Sequence, residues 1–124
     1  MITITPEPRH TQAPHTTCRI FVTPHATAAY RARIYAGASE ALAEREIEAA
    51  LRHPLFTCQS CDGLLTLWGC RNRSGFAFLV ATDPGDLEAP FLLVRTVGPA
   101  WFWKEARRYW QALGVNKPLH GGKQ

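Results

Sequence analysis

Four cysteines, Cys18, Cys58, Cys61 and Cys70, occur in the 124-residue chain, and two of them open the run Cys58-Gln59-Ser60-Cys61-Asp62-Gly63. A turn of this spacing brings two thiolates to one tetrahedral ion at about 2.3 Å, the geometry of a zinc knuckle. Cys70 is the candidate third ligand and His53 or Cys18 the fourth, so structural zinc is the cofactor to test. No second pair of this spacing occurs, and the same residues also read as thiols of a reducing compartment, with Cys18 and Cys70 as small buried apolar side chains. A second group lies near the C-terminus, where Trp101, Trp103, Tyr109 and Trp110 are interleaved with Lys104, Arg107 and Arg108. Aromatic planes stack on unpaired bases while basic groups follow phosphates, so the mixture suits single-stranded nucleic acid. The same residue types dominate protein interfaces, and they also fill cores.

Charge points the same way. The formal net charge is +4, and the whole surplus falls on residues 98–124, where a polyanion partner is expected. With 46% apolar and 19% charged residues, the composition is that of one globular domain rather than a disordered chain. No apolar run approaches the roughly 18–20 residues of a membrane span, and the N-terminus lacks a basic region followed by an apolar one. No membrane partner and a cytoplasmic location are therefore expected. A G-x-x-x-x-G-K-[ST] loop, an H-E-x-x-H pair and a G-x-S-x-G elbow are all absent, which disfavours nucleotide-driven and common hydrolase chemistry.

The elements that must position these groups follow from periodicity. Residues 1–17, with Pro6, Pro8 and Pro14, are expected to be a flexible arm, 18–114 a single α+β domain, and 115–124 a flexible tail. Arg19–Val22 is a short strand or an extended lead-in. Thr23 suits an N-cap and Pro24 the first helical position. In the helix that follows, Arg33 falls in the arc of Ala26, Ala29 and Tyr30, while Arg31 points away. A second helix runs from Ser39 or Glu40 to His53, where Pro54 stops it. Gly63–Cys70, Gly75–Thr82 and Pro90–Val97 then read as strands of an antiparallel meander, the middle one apolar enough to be covered on both faces. Pro99 and Gly114 bracket a last helix with Phe102, Ala106, Tyr109 and Leu113 facing inward. The expected architecture is two N-terminal helices, a three- to four-stranded antiparallel sheet and a C-terminal aromatic helix.

The run HATAAYRAR from His25 to Arg33, followed by AEREIEAALRHP and strands ending in LLVRTV, resembles small RelE-like and BrnT-like toxin-related domains. Their first helix reads His-Ala-x-x-Arg-x-Arg-x-Arg or His-Ala-x-x-Arg-x-x-Glu-Arg. A second helix of the type E-x-V-E-x-A-L-x-x-P and an antiparallel sheet ending in V-V-T-V come next. The resemblance covers residues 20 to 97. His25, Ala26, Arg31 and Arg33 match the first helix, Ile47, Glu48, Ala50, Leu51 and Pro54 the second, and Thr96 the strand end. Ala29 and Ala32 stand where the pattern has arginine and glutamate.

The resemblance implies an RNA-binding toxin-like protein held inactive by an antitoxin, with metal-independent endoribonuclease activity and no cofactor. Such cleavage needs a base for the 2′-OH proton, basic groups for the charge on the pentacoordinate phosphate, and an acid for the leaving oxygen. His25 is the candidate base, and Arg31, Arg33 and Arg95 are the candidate phosphate ligands, with Arg73 as a further nucleic-acid contact. His25 and Arg33 lie about 12 Å apart along a helix axis, so Arg95 or Arg73 is expected closer to one of them. Two rival readings stand beside this one. The first is a non-enzymatic phage or mobile-element inhibitor that binds a host nucleoprotein complex, favoured by Ala29, Ala32 and the aromatic helix. The second is a zinc-stabilised interaction module.

Overall fold

A computed structural model describes residues 18–84 and 91–116. The expected arm at 1–17 and the tail from residue 117 onward lie outside the described residues.

The chain begins with strand β1 (Arg19–Val22), and Thr23 converts it directly into helix α1 (Pro24–Arg33). The Thr23 hydroxyl accepts the Ala26 N–H at 3.1 Å, and Pro24 occupies the first turn, where its missing N–H costs nothing. Ser39 caps helix α2 (Glu40–Leu51) in the same way, accepting from the Leu42 N–H at 3.1 Å. Strands β2 (Phe56–Gln59), β3 (Thr66–Arg71), β4 (Ala77–Thr82) and β5 (Phe91–Pro99) follow, then a 3₁₀ turn over Lys104–Ala106 and a short helix α3 (Arg107–Ala112).

The five strands form one sheet in the order β1-β5-β4-β3-β2. Strands β2 to β5 pair antiparallel, whereas β1 lies parallel to β5. Side chains alternate between two apolar layers. Phe78 and Val80 of β4 join Tyr30, Ile47 and Leu51 beneath α1 and α2, while Leu79 and Ala81 join Phe56, Leu67 and Trp110 beneath α3. The middle strand of the meander is thus buried on both faces.

The α+β class holds, and the details of sheet and last helix are corrected. The sheet has five strands and is mixed, not three or four and antiparallel. A parallel partner needs a long connection, here α1, α2 and strands β2 to β4, so β1 meets β5 across some seventy residues of sequence that carry no local pairing signal. The aromatic helix does not begin at Pro99. Gly98 and Pro99 continue β5 opposite Leu79 and Phe78, and helical turns start only at Lys104. Gly98 is needed there, because a Cβ would stand 2.9 Å from the Trp103 ring.

Tyr30 ties the helical layer to the β3–β4 hairpin. Its hydroxyl donates to Glu46 Oε1 at 2.7 Å and accepts from Asn72 Nδ2 at 3.3 Å, and its ring meets Phe78 edge-on. Burial, with Glu46 adding to it, pushes the phenol up to about 12. Tyr30→Phe leaves both partners short of a bond and should cost about 1–2 kcal/mol at neutral pH in chemical denaturation. A raised folded-state pKa adds stability below the unfolded value near 10 and loses it above. The gap between wild type and Tyr30→Phe should therefore narrow as pH rises from 10 to 12.

Candidate functional site

Helix α1 is pinned along β5 at both ends. At its start, the Thr23 N–H donates to the Val94 carbonyl and the Thr23 hydroxyl to the Arg95 carbonyl, each at 3.3 Å. At its end, Arg33 Nη1 donates to the Val97 carbonyl at 2.9 Å. This seating divides the residues proposed for chemistry. His25, two positions after Thr23 and exposed, stands at the Arg95 end, while Arg33 stands at the other.

Arg95 owes its position to an irregularity of the ladder. Thr82 faces Val94 and Ala81 faces Thr96, which leaves Arg95 as the extra residue of a β-bulge. Its guanidinium is held by Asp83, Nε to Oδ1 at 2.7 Å and Nη2 to Oδ2 at 3.4 Å, and that carboxylate raises the arginine pKa further. Both side chains are well exposed, so the pair contributes little to stability and is open to competition from another anion. Asp83→Asn frees the guanidinium. If Arg95 contacts phosphate, the variant should bind single-stranded RNA several-fold more tightly with an unchanged melting temperature.

Arg33 keeps its place in the apolar arc of α1, yet it is exposed, because the helix ends there and the side chain runs past the last turn. Beyond its bond to Val97, its guanidinium lies over the Phe102 ring, 5.7 Å from the centroid. Neither contact is a carboxylate, so among the described residues the cation has no ion-pair partner. Arg31 is directed elsewhere: its Nε donates to the Ala38 carbonyl at 2.8 Å and braces the loop between α1 and α2.

The interleaved aromatic stretch separates into packing and surface residues. Trp110 is buried, Trp101, Trp103 and Tyr109 are half-buried, and all four pack on the second sheet face. Phe102 is the exposed ring, at 57% exposure, stacked edge-on against Trp103. A helix from Pro99 would have turned Phe102 inward; the extended end of β5 turns it out beside Arg33. Lys104, Arg107 and Arg108 are exposed. Arg107 donates to the Trp101 carbonyl at 3.3 Å, and Arg108 lies over the Tyr109 ring at 5.1 Å. Lys104 and Arg108 line a hollow of about 530 Å³ that Cys58 and Gln59 also border. Arg73 is remote from this stretch, on the β3–β4 hairpin facing α2.

The cysteines do not converge. Cys58 packs under α3 with its Sγ donating to the Glu105 carbonyl at 3.9 Å, and burial, then the Glu105 charge, pushes its thiol up to about 11. Cys61 is exposed, and Glu105 Oε2 accepts its backbone N–H at 2.7 Å while the same carboxylate raises its thiol pKa. Cys70 is wholly buried on the opposite face of the sheet, in the layer of Trp68 and Phe78, where burial strongly disfavours the thiolate. Cys18 is buried in that same layer, and His53 is exposed just after α2. Among the described residues no three His, Cys, Asp or Glu side chains are placed to hold a metal ion, so Cys58, Cys61, Cys70 and His53 do not fit a common zinc site.

Comparison with family models, curated proteins and solved structures gives no match for the chain.

Proposed function

We propose that the chain is an RNA-binding, toxin-like protein that meets single-stranded RNA along α1 and the aromatic stretch after β5, with metal-independent cleavage at the His25 end. The contact between Arg33 and Phe102 carries this reading. It sets a guanidinium that has no carboxylate partner among the described residues against an exposed ring, which pairs phosphate attraction with base stacking in one place. The order of two helices followed by antiparallel strands is also the order that the RelE-like resemblance implies. Under this reading an antitoxin covers the same surface to hold the protein inactive.

In the cleavage step His25 takes the 2′-OH proton, the 2′-oxygen attacks phosphorus, and the bond from phosphorus to the 5′-oxygen breaks as that oxygen takes a proton from solvent water, giving a 2′,3′-cyclic phosphate and a 5′-hydroxyl. Arg95, released from Asp83, is the cation at that end of α1. Incubation of purified protein with total RNA, wild type beside His25→Ala, tests the step. Fragments ending in 2′,3′-cyclic phosphate that vanish with the variant are expected. Their absence at high protein concentration would replace cleavage by binding alone.

Binding alone, as in an inhibitor of a host nucleoprotein complex, is the second reading. It is favoured by the division of His25 from Arg33 across the length of α1 and by the engagement of Arg31 with Ala38 and of Arg95 with Asp83.

A further inference from the structure

On the flank of α2 a groove runs between that helix and the β3–β4 hairpin. Its first part is a hollow of about 720 Å³ bordered by Arg45, Arg52, His53, Arg71 and Arg73. A second hollow, of about 510 Å³, shares Leu42, Glu46, Asn72 and Arg73 with the first and adds Tyr35 and Phe76. The two form one continuous depression, cationic at one end and aromatic at the other, with Arg73 bordering both. Four arginines face two glutamates there, and both glutamates are engaged: Glu46 accepts from the Tyr30 hydroxyl, and Glu48 lies 3.7 Å from Arg52. Arg71 donates one N–H to the Gly75 carbonyl. Arg45 and Arg73 make no ion pair or hydrogen bond among the described residues.

The aromatic end is set by local geometry. Asn72 Oδ1 accepts the N–H groups of Ser74 and Phe76, each at 2.9 Å, and Gly75 takes φ +84°, so the hairpin turn that presents Arg73 and Phe76 is fixed by its own bonds. Tyr35 lies against Gly37, where a Cβ would stand 2.9 Å from its ring. Both rings remain about half exposed, Tyr35 at 48% and Phe76 at 49%.

We propose that this groove binds a nucleotide, with its phosphate at Arg73 and Arg45 and its base against Tyr35 and Phe76. Planar guanidinium forks match phosphate oxygens bidentately, and an aromatic base suits the exposed rings. Each of the two hollows has a volume within the range of small-ligand sites. Binding of this kind needs no P-loop, since no phosphate is hydrolysed. The nucleotide is either free or an unpaired nucleotide of an RNA. The site does not depend on Arg33, Phe102 or His25, none of which borders it.

Calorimetric titration of the full chain with AMP, adenosine and inorganic phosphate tests the proposal, with an unstructured RNA 10-mer titrated by fluorescence anisotropy alongside. The variants are Arg45→Ala/Arg73→Ala and Phe76→Ala, all at exposed positions, with melting temperature confirming the fold. One-to-one AMP binding, at least tenfold weaker in the double variant, weaker again for adenosine and unchanged in Arg33→Ala, is the expected result. A free-nucleotide site leaves the RNA affinity of the double variant unchanged, whereas an RNA site weakens it and lets AMP compete. Failure of both AMP and RNA to distinguish wild type from the two groove variants overturns the proposal. RNA binding abolished only in Arg33→Ala, with AMP bound equally by wild type and the groove variants or not at all, would do so while leaving the reading of α1 intact.

Discussion

Phe56→Ala should lower stability by about 3–5 kcal/mol, more than any surface substitution in this chain. The Phe56 ring lies flat on Gly69 of the neighbouring strand, so close that a Cβ at Gly69 would stand 2.2 Å from it. Above the ring, Tyr109 stacks at 4.9 Å and Trp110 meets it edge-on at 4.8 Å. One side chain thus joins the edge strand β2, the centre of β3 and helix α3. Removing it leaves a cavity that neither a six-residue helix nor a four-residue strand is long enough to bridge. Thermal unfolding should show a fall in Tm of roughly 10–20 °C. Gly69→Ala should destabilise from the other side by expelling the ring, and the pair should be strongly non-additive, because both changes disrupt the same packing.

Phe102→Ala should weaken single-stranded RNA binding about 5- to 150-fold, the loss of one base-stacking plane worth about 1–3 kcal/mol. The substitution also removes the ring beneath the Arg33 guanidinium, while the bond from Arg33 to Val97 remains. Because Phe102 is exposed, Tm should stay nearly constant, which separates a binding defect from a folding defect. A duplex of the same sequence should show a smaller change, since its bases are already stacked.

Local signals made much of the fold legible. Thr23-Pro24 and Ser39 mark the two helix starts, and the run Asn72-Arg73-Ser74-Gly75 marks the hairpin, because each acts within a few residues of itself. Where tertiary pairing decides, the reading failed. Strand β2 follows Pro54 almost at once and has only four residues, and its main anchor, Gly69 under Phe56, lies thirteen positions away. Pro99 is as good a helix opener as it is a strand end, and only the pairing of Gly98 and Pro99 with β4 chooses between them. That choice reversed Phe102 from core to surface and revealed the partner of Arg33. The candidate site was legible in its basic residues, but neither in Phe102, which the sequence assigns to the core, nor in their grouping. Arg33 fell in the apolar arc of the helical wheel, but no sequence signal said that the helix stops there or that its guanidinium reaches Phe102. Arg45, Tyr35 and Phe76 were missed altogether, since the groove they border exists only once the hairpin is folded beside α2.

The proposed RNA binding turns on whether the cation at the end of α1 holds a phosphate. The direct measurement is fluorescence anisotropy of a labelled, unstructured RNA across a salt series, wild type beside Arg33→Ala, for the full chain. Saturable binding is predicted whose log–log salt slope is smaller by about 0.7 in the variant, as one fewer phosphate of a single strand is neutralised. Identical affinities and slopes for the two proteins, or no binding even at about 50 mM salt, would contradict it.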